Sequence, residues 1–143
     1  MALNIATLAV AATAAIHVKS ADGEPLLDDG KPVRIIVNSP GSKAFGTVES
    51  RQTARAVKRM NDNEGKLTAA TADERRGETA EDLAAITVAF ENFDYQPEGA
   101  TEPLAGEDLF RAVYADPSLG FIARQVTKFL ADWGNFKPGS AGN

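Results

Sequence analysis

Residues 31–43 read Lys31-Pro32-Val33-Arg34-Ile35-Ile36-Val37-Asn38-Ser39-Pro40-Gly41-Ser42-Lys43. Four β-branched residues within Val33–Val37 make this the strongest strand candidate in the chain, and Pro32 suits a strand's first residue. Ser39-Pro40 then reads as a helix N-cap followed by proline at the first helical position. Gly41 would ease a tight strand-to-helix turn. A switch from strand to helix at this point divides the chain into a β-rich start and a helical remainder.

Toward the N-terminus, Asp28-Asp29-Gly30 and Asp22-Gly23-Glu24-Pro25 are turn signals. Ala14–Lys19 alternates as a strand, with Ile16 and Val18 on one face and His17 and Lys19 on the other. The region therefore predicts a β-hairpin or small meander. Ile5–Ala12 reads as a short helix ahead of it. The apolar stretch Ile5–Ile16 is shorter than the ~20 residues of a membrane span. No Lys or Arg precedes Lys19, as a signal peptide would require.

Toward the C-terminus, a long basic helix is predicted over Pro40–Met60. Residues 61–79 are polar and read as a loop or a loosely held helical extension. Thr79 then looks like an N-cap, with Glu81 and Asp82 favouring the positive end of the following helix. Leu83, Ile86, Phe90 and Phe93 extend that helix as one apolar stripe. A loop over 95–106 and a helix over Asp108–Ala115 follow. Asp116-Pro117 caps a last helix carrying Ile122, Val126, Phe129, Leu130 and Trp133, with Gly134 as its stop. The predicted fold class is α+β: the hairpin or meander followed by three to four α-helices in a single domain, residues 1–136. A disordered tail is expected over 137–143.

Composition bounds the function. The 143 residues carry a net charge of −5, one His and no Cys. Disulfides, thiol catalysis and Cys-ligated metals are excluded, and His17 alone cannot build a multi-histidine zinc site. Asp28-Asp29 and Glu81-Asp82 read as a polar turn and a helix start rather than as catalytic or metal-binding carboxylates. Gly41 does not complete a phosphate-loop spacing. The expectation is a non-enzymatic, soluble, intracellular protein without cofactor or metal. Leu, Ile, Val and Phe make only about 22% of the chain, and nine of its ten aromatic residues follow residue 89. A thin core concentrated in the second half invites burial by a partner or by self-association.

Two surfaces are candidates for such contacts. Residues 42–66 carry a net charge of +3, and Arg51, Arg55 and Arg59, four apart, share one helical face. That face is read as a docking surface for an acidic partner or a second copy, as a solvated helix face, or as a nucleic-acid contact, the last disfavoured by the acidic whole. The stripe Ile122, Val126, Phe129, Leu130 and Trp133 is read as core, with Ile122, Phe129 and Trp133 as alternative partner-binding residues.

The order of these pieces also resembles a family. A hairpin ending in Gly30-Lys31-Pro32-Val33 leads to Ser39-Pro40-Gly41-Ser42-Lys43 and a basic helix. Leu109-Phe110-Arg111-Ala112-Val113-Tyr114-Ala115-Asp116-Pro117 follows, and Phe129-Leu130-Ala131-Asp132-Trp133-Gly134-Asn135-Phe136 closes the chain. This is similar to the small tail assembly chaperones of long-tailed bacteriophages over most of residues 1–136. The resemblance implies binding to the tape measure protein, which such chaperones keep soluble and extended until tail tube subunits assemble around it. It also implies contact with the tail tube protein, self-association and a place in the host cell cytoplasm, while the acidic charge and the short apolar stretch speak against nucleic acid and membrane. The rival readings are a structural virion protein, such as a minor tail or connector component, and a small regulatory or nucleic-acid-binding module.

Overall fold

The computed structural model of the chain describes residues 2–62 and 71–138. Strand β1 spans Thr13–His17, β2 Leu27–Asp28, β3 Lys31–Pro32 and β4 Arg34–Asn38. Helix α1 spans Lys43–Asp62 and α2 Ala72–Ile86; β5 spans Thr87–Glu91, α3 Gly106–Ala115 and α4 Gly120–Leu130. The architecture is α+β, with the N-terminal strands preceding the helices, as the sequence predicts.

The β-branched run does form the central strand. β4 pairs antiparallel with β1 on one side, Ile16 opposite Ile35 and Ala14 opposite Val37, and with β5 on the other. Ile35 and Val37 are fully buried on the face that meets the helices. Between β1 and β4 lies a two-stranded ribbon, β2–β3, closed by Asp29 and Gly30 with φ of 51° and 78°. Two successive positive φ values are what a tight two-residue hairpin turn needs, and Asp-Gly supplies them. His17 Nε2 donates to the Leu26 carbonyl at 2.8 Å and ties the ribbon to β1.

The third strand was not expected. Leu83, Ile86, Phe90 and Phe93 read as one helical stripe, yet the helix ends at Ile86 and the backbone turns extended at Thr87 (φ −86°, ψ 133°). A β-bulge explains the misleading spacing. Ile36 faces Ala89 and Val37 faces Thr87, so Val88 is the extra residue and is exposed. One inserted residue brings Thr87 and Phe90, three apart, to the same inner face. Thr87 Oγ1 donates to the Leu83 carbonyl at 2.7 Å and meets the Tyr114 hydroxyl at 2.7 Å. Phe90 stacks on Phe93 at 4.5 Å and packs on Phe110 at 4.6 Å between ring centroids.

Helix starts differ from the sequence reading in two places. Ser39 and Pro40 end the strand, the Ser39 N–H donating to the Ala12 carbonyl at 2.9 Å. The cap of α1 is Ser42, whose Oγ accepts from the Phe45 N–H at 3.2 Å. Gly41 sits in the intervening turn without a positive φ, so the turn does not depend on glycine there. The cap of α2 is Thr71, not Thr79: its Oγ1 accepts from the Glu74 N–H at 3.1 Å, and Thr79 lies within the helix. Of the polar segment 61–79, residues 63–70 lie outside the described residues, and Ala72–Thr79 is helical.

The Asp116-Pro117 cap forms as predicted, with Asp116 Oδ1 accepting from the Ser118 N–H at 2.9 Å and Oδ2 from the Tyr95 hydroxyl at 2.8 Å. It opens a single 3₁₀ turn, Pro117–Leu119, before α4. The last helix stops at Leu130, short of Gly134, and a second 3₁₀ turn covers Trp133–Phe136. Phe136 is fully buried against Phe129, and its carbonyl accepts from the Ala11 N–H at 2.6 Å, closing the C-terminal segment onto the start of β1. The predicted N-terminal helix is reduced to a 3₁₀ turn, Ile5–Leu8, with no buried residue. Of the tail, Lys137 and Pro138 are exposed and residues 139–143 lie outside the described residues.

Candidate interaction surfaces

Arg51, Arg55 and Arg59 do share one face of α1, but for two of them that face belongs to the chain itself. Arg55 Nη1 donates to Asp82 Oδ2 and Nη2 to Glu81 Oε2, each at 2.9 Å. Arg59 Nη2 donates to both carboxylate oxygens of Glu78 at 2.9–3.0 Å. Rising numbers on α1 meet falling numbers on α2, so the two helices form an antiparallel hairpin joined by charge. The expected docking face is therefore largely an internal seam. The physical reason lies in α2, where Glu74, Glu78, Glu81 and Asp82 recur at helical spacing and complement the arginines. That acidic stripe is visible in the sequence, but a segment 61–79 read as a loop or a loosely held helical extension fixes no register for Glu74 and Glu78 against the arginines. Arg51 is half-buried on the same side.

Asp82 is the most constrained charge of the seam. It is only 8% exposed. Its Oδ2 accepts from Arg55 and from Gln52 Nε2 at 3.0 Å, while Oδ1 is buried and has no hydrogen-bond partner. The Asp82 carboxylate, with Glu81 beside it, raises the pKa of Arg55 above its ordinary value. Next to Asp82 an open cleft of about 300 Å³ runs between α1, α2 and α4, walled by Phe45, Val48, Leu83, Ile86 and Leu130. Its walls are mostly apolar, with Gln52, Thr79, Asp82 and Thr127 as the polar lining.

The C-terminal stripe divides. Ile122, Val126 and Leu130 are buried, so Ile122 belongs to the core rather than to a free partner surface. Phe129 is half-buried against Phe136. Trp133 is 55% exposed and is not a core residue. It follows the end of α4, so its ring leaves the helical stripe and lies over Gly41 instead.

The outward side of α1 is the least partnered part of the helical layer. Val48 is the only fully buried residue of this 20-residue helix. Val57 and Met60, three apart, are 54% and 42% exposed. A second exposed apolar group is the N-terminal arm, where Leu3, Ile5 and Leu8 all face outward.

Tyr114 is buried deep in the fold, and burial pushes its hydroxyl well above the usual tyrosine range. Among the described residues no group of His, Asp and Glu could hold a metal ion, and no helix is long and apolar enough to cross a membrane. No family model matches this chain, and no curated protein or solved structure matches it either.

Proposed function

We propose that this chain is a phage tail assembly chaperone, which binds the tape measure protein through the outward side of α1, keeps it soluble and self-associates. The observation that carries the reading is a 20-residue helix held by its charged face, with Val57 and Met60 left exposed on the other. An amphipathic partner helix can lay its apolar stripe along such a face, with Val57 and Met60 as i, i+3 anchors. The sequence likeness over most of residues 1–136 supports the same assignment. Pairing of Arg55 and Arg59 with carboxylates leaves fewer charges for phosphate contacts, which weighs against the nucleic-acid rival.

Co-expression with the tape measure protein from the same genome, followed by pull-down, tests the proposal. Co-purification and a rise in soluble tape measure protein are expected. No association, with the tape measure protein equally soluble alone, would overturn it.

A further inference from the structure

We infer that the cleft between α1, α2 and α4 binds a primary ammonium on a short apolar stem, the ammonium seated at Asp82 and the stem against the apolar walls. The site goes beyond the proposed function and does not depend on it, since neither Val57 nor Met60 lines the cleft.

The polar lining presents unanswered acceptors. Asp82 is more than nine-tenths buried, and its Oδ1 is enclosed with no donor among the described residues. Gln52 Nε2 donates to Asp82 Oδ2 at 3.0 Å, which fixes the orientation of the amide and leaves Oε1 as an acceptor. Thr127 Oγ1 gives its one proton to the Ala123 carbonyl at 2.9 Å, so only its lone pairs remain. Asp82, Gln52 and Thr127 all line the same cleft, and the Thr79 hydroxyl beside them can take either role. An ammonium brings three N–H donors and no acceptor, whereas a hydroxyl brings one donor and a carboxylate none.

The charge has the matching sign. Among the described residues Asp82 is the only charged group on the walls, and no cation lines them. Behind it, Arg55 answers both Asp82 and Glu81 at 2.9 Å, so one guanidinium serves two carboxylates. A second cation at Oδ1 balances that group, and a hydrogen bond from a charged donor to a carboxylate is about twice as strong as a neutral one. An anionic ligand would meet the same carboxylate with the opposite result.

The dimensions suit a small ligand. A volume of about 300 Å³ stands at the lower end of ligand sites, and mostly apolar walls with a few placed polar groups are their usual make-up. Phe45, Val48, Leu83, Ile86 and Leu130 offer those walls to an alkyl or aryl stem. A free monoamine and the side chain of a lysine on a partner carry this same group, an apolar stem ending in an ammonium.

The test is an NMR titration of the full chain, labelled with nitrogen-15, with n-butylamine and benzylamine against 1-butanol and benzyl alcohol at neutral pH. Amide shifts centred on Gln52, Asp82 and Thr127 are expected, with each amine binding at least tenfold more tightly than its alcohol. Asp82→Asn should bring the amines down to the level of the alcohols. Thr127→Val, at an exposed position of α4, should weaken them severalfold with the thermal midpoint kept, and it decides the matter if Asp82→Asn fails to fold. Nα-acetyl-lysine methylamide separates the two sources: binding equal to n-butylamine assigns the site to a lysine side chain, and binding of n-butylamine alone assigns it to a free monoamine. Absence of shifts at the highest soluble amine concentration, alcohols binding as well as amines, or amine binding indifferent to both substitutions would overturn the inference. The titration uses the chain alone, so its outcome is separate from any failure to bind the tape measure protein.

Discussion

Arg55 reaches across from α1 to place Nη1 2.9 Å from Asp82 Oδ2, joining a guanidinium one-fifth exposed to a carboxylate in the floor of the helical layer. With Val48 the only fully buried residue of α1, this pair and the Arg59–Glu78 pair carry much of the attachment of α1 to the body. Arg55→Met should cost about 2–3 kcal/mol in urea unfolding, because it leaves Asp82 buried without its cation. The partial exposure of Arg55 keeps the figure below that of a fully buried pair. Arg55→Met with Asp82→Leu should recover most of the loss, and a double variant as unstable as the single one would show that the seam is not what holds α1.

Trp133 and Phe136 lie three residues apart and should behave oppositely. Phe136 is fully buried, so Phe136→Ala should cost about 3–5 kcal/mol. Trp133→Ala should cost less than about 1 kcal/mol, since more than half of the residue already faces solvent. Were Trp133 core, as the stripe spacing suggests, the same change would cost a few kcal/mol. Thermal midpoints of the two variants measure the contrast directly.

Alkaline pH should destabilise the fold through its tyrosines. The hydrogen bond to Asp116 raises the pKa of Tyr95, and burial raises that of Tyr114, both from an unfolded value of 10.0. A group with a raised folded pKa keeps its full contribution below the unfolded value and loses it as pH climbs toward the folded one. Stability should therefore be flat with respect to these groups below pH 10 and fall above it. Tyr114→Phe should reduce the slope, at a cost of about 1 kcal/mol for the lost bond to Thr87. A slope identical in wild type and Tyr114→Phe would remove Tyr114 as its source.

The start of α2 depends on Thr71. Thr71→Ala should destabilise by about 1 kcal/mol and Thr71→Ser by much less, as for other side-chain caps. Thr79→Ala, at the cap position read from the sequence, should be close to neutral. The reverse order, read from urea midpoints, would place the helix start at Thr79.

The parts of the fold legible in the sequence are those with one dominant local signal. β-branched Val33–Val37 could only be a strand, and Asp29-Gly30 a hairpin turn. Asp116-Pro117 could only be a cap. The parts that were not legible involve two signals that imitate another pattern or a pairing that is not local. The bulge at Val88 gives β5 the three-residue spacing of a helix. The arginine stripe looked like a free surface because its partners lie about 20–30 residues away on α2. Trp133 looked like core because the stripe spacing continues past Leu130, where the helix itself stops.

The central claim is that α1 presents its uncharged side to a helical partner. The most direct measurement is capture of the tape measure protein by Val57→Asp with Met60→Asp, compared with wild type at equal concentration. Both residues are exposed, so the variant should keep the wild-type thermal midpoint while capture falls at least tenfold. Undiminished capture by the variant would contradict the assignment of α1 as the docking helix, and absence of capture by the wild type would contradict the function itself.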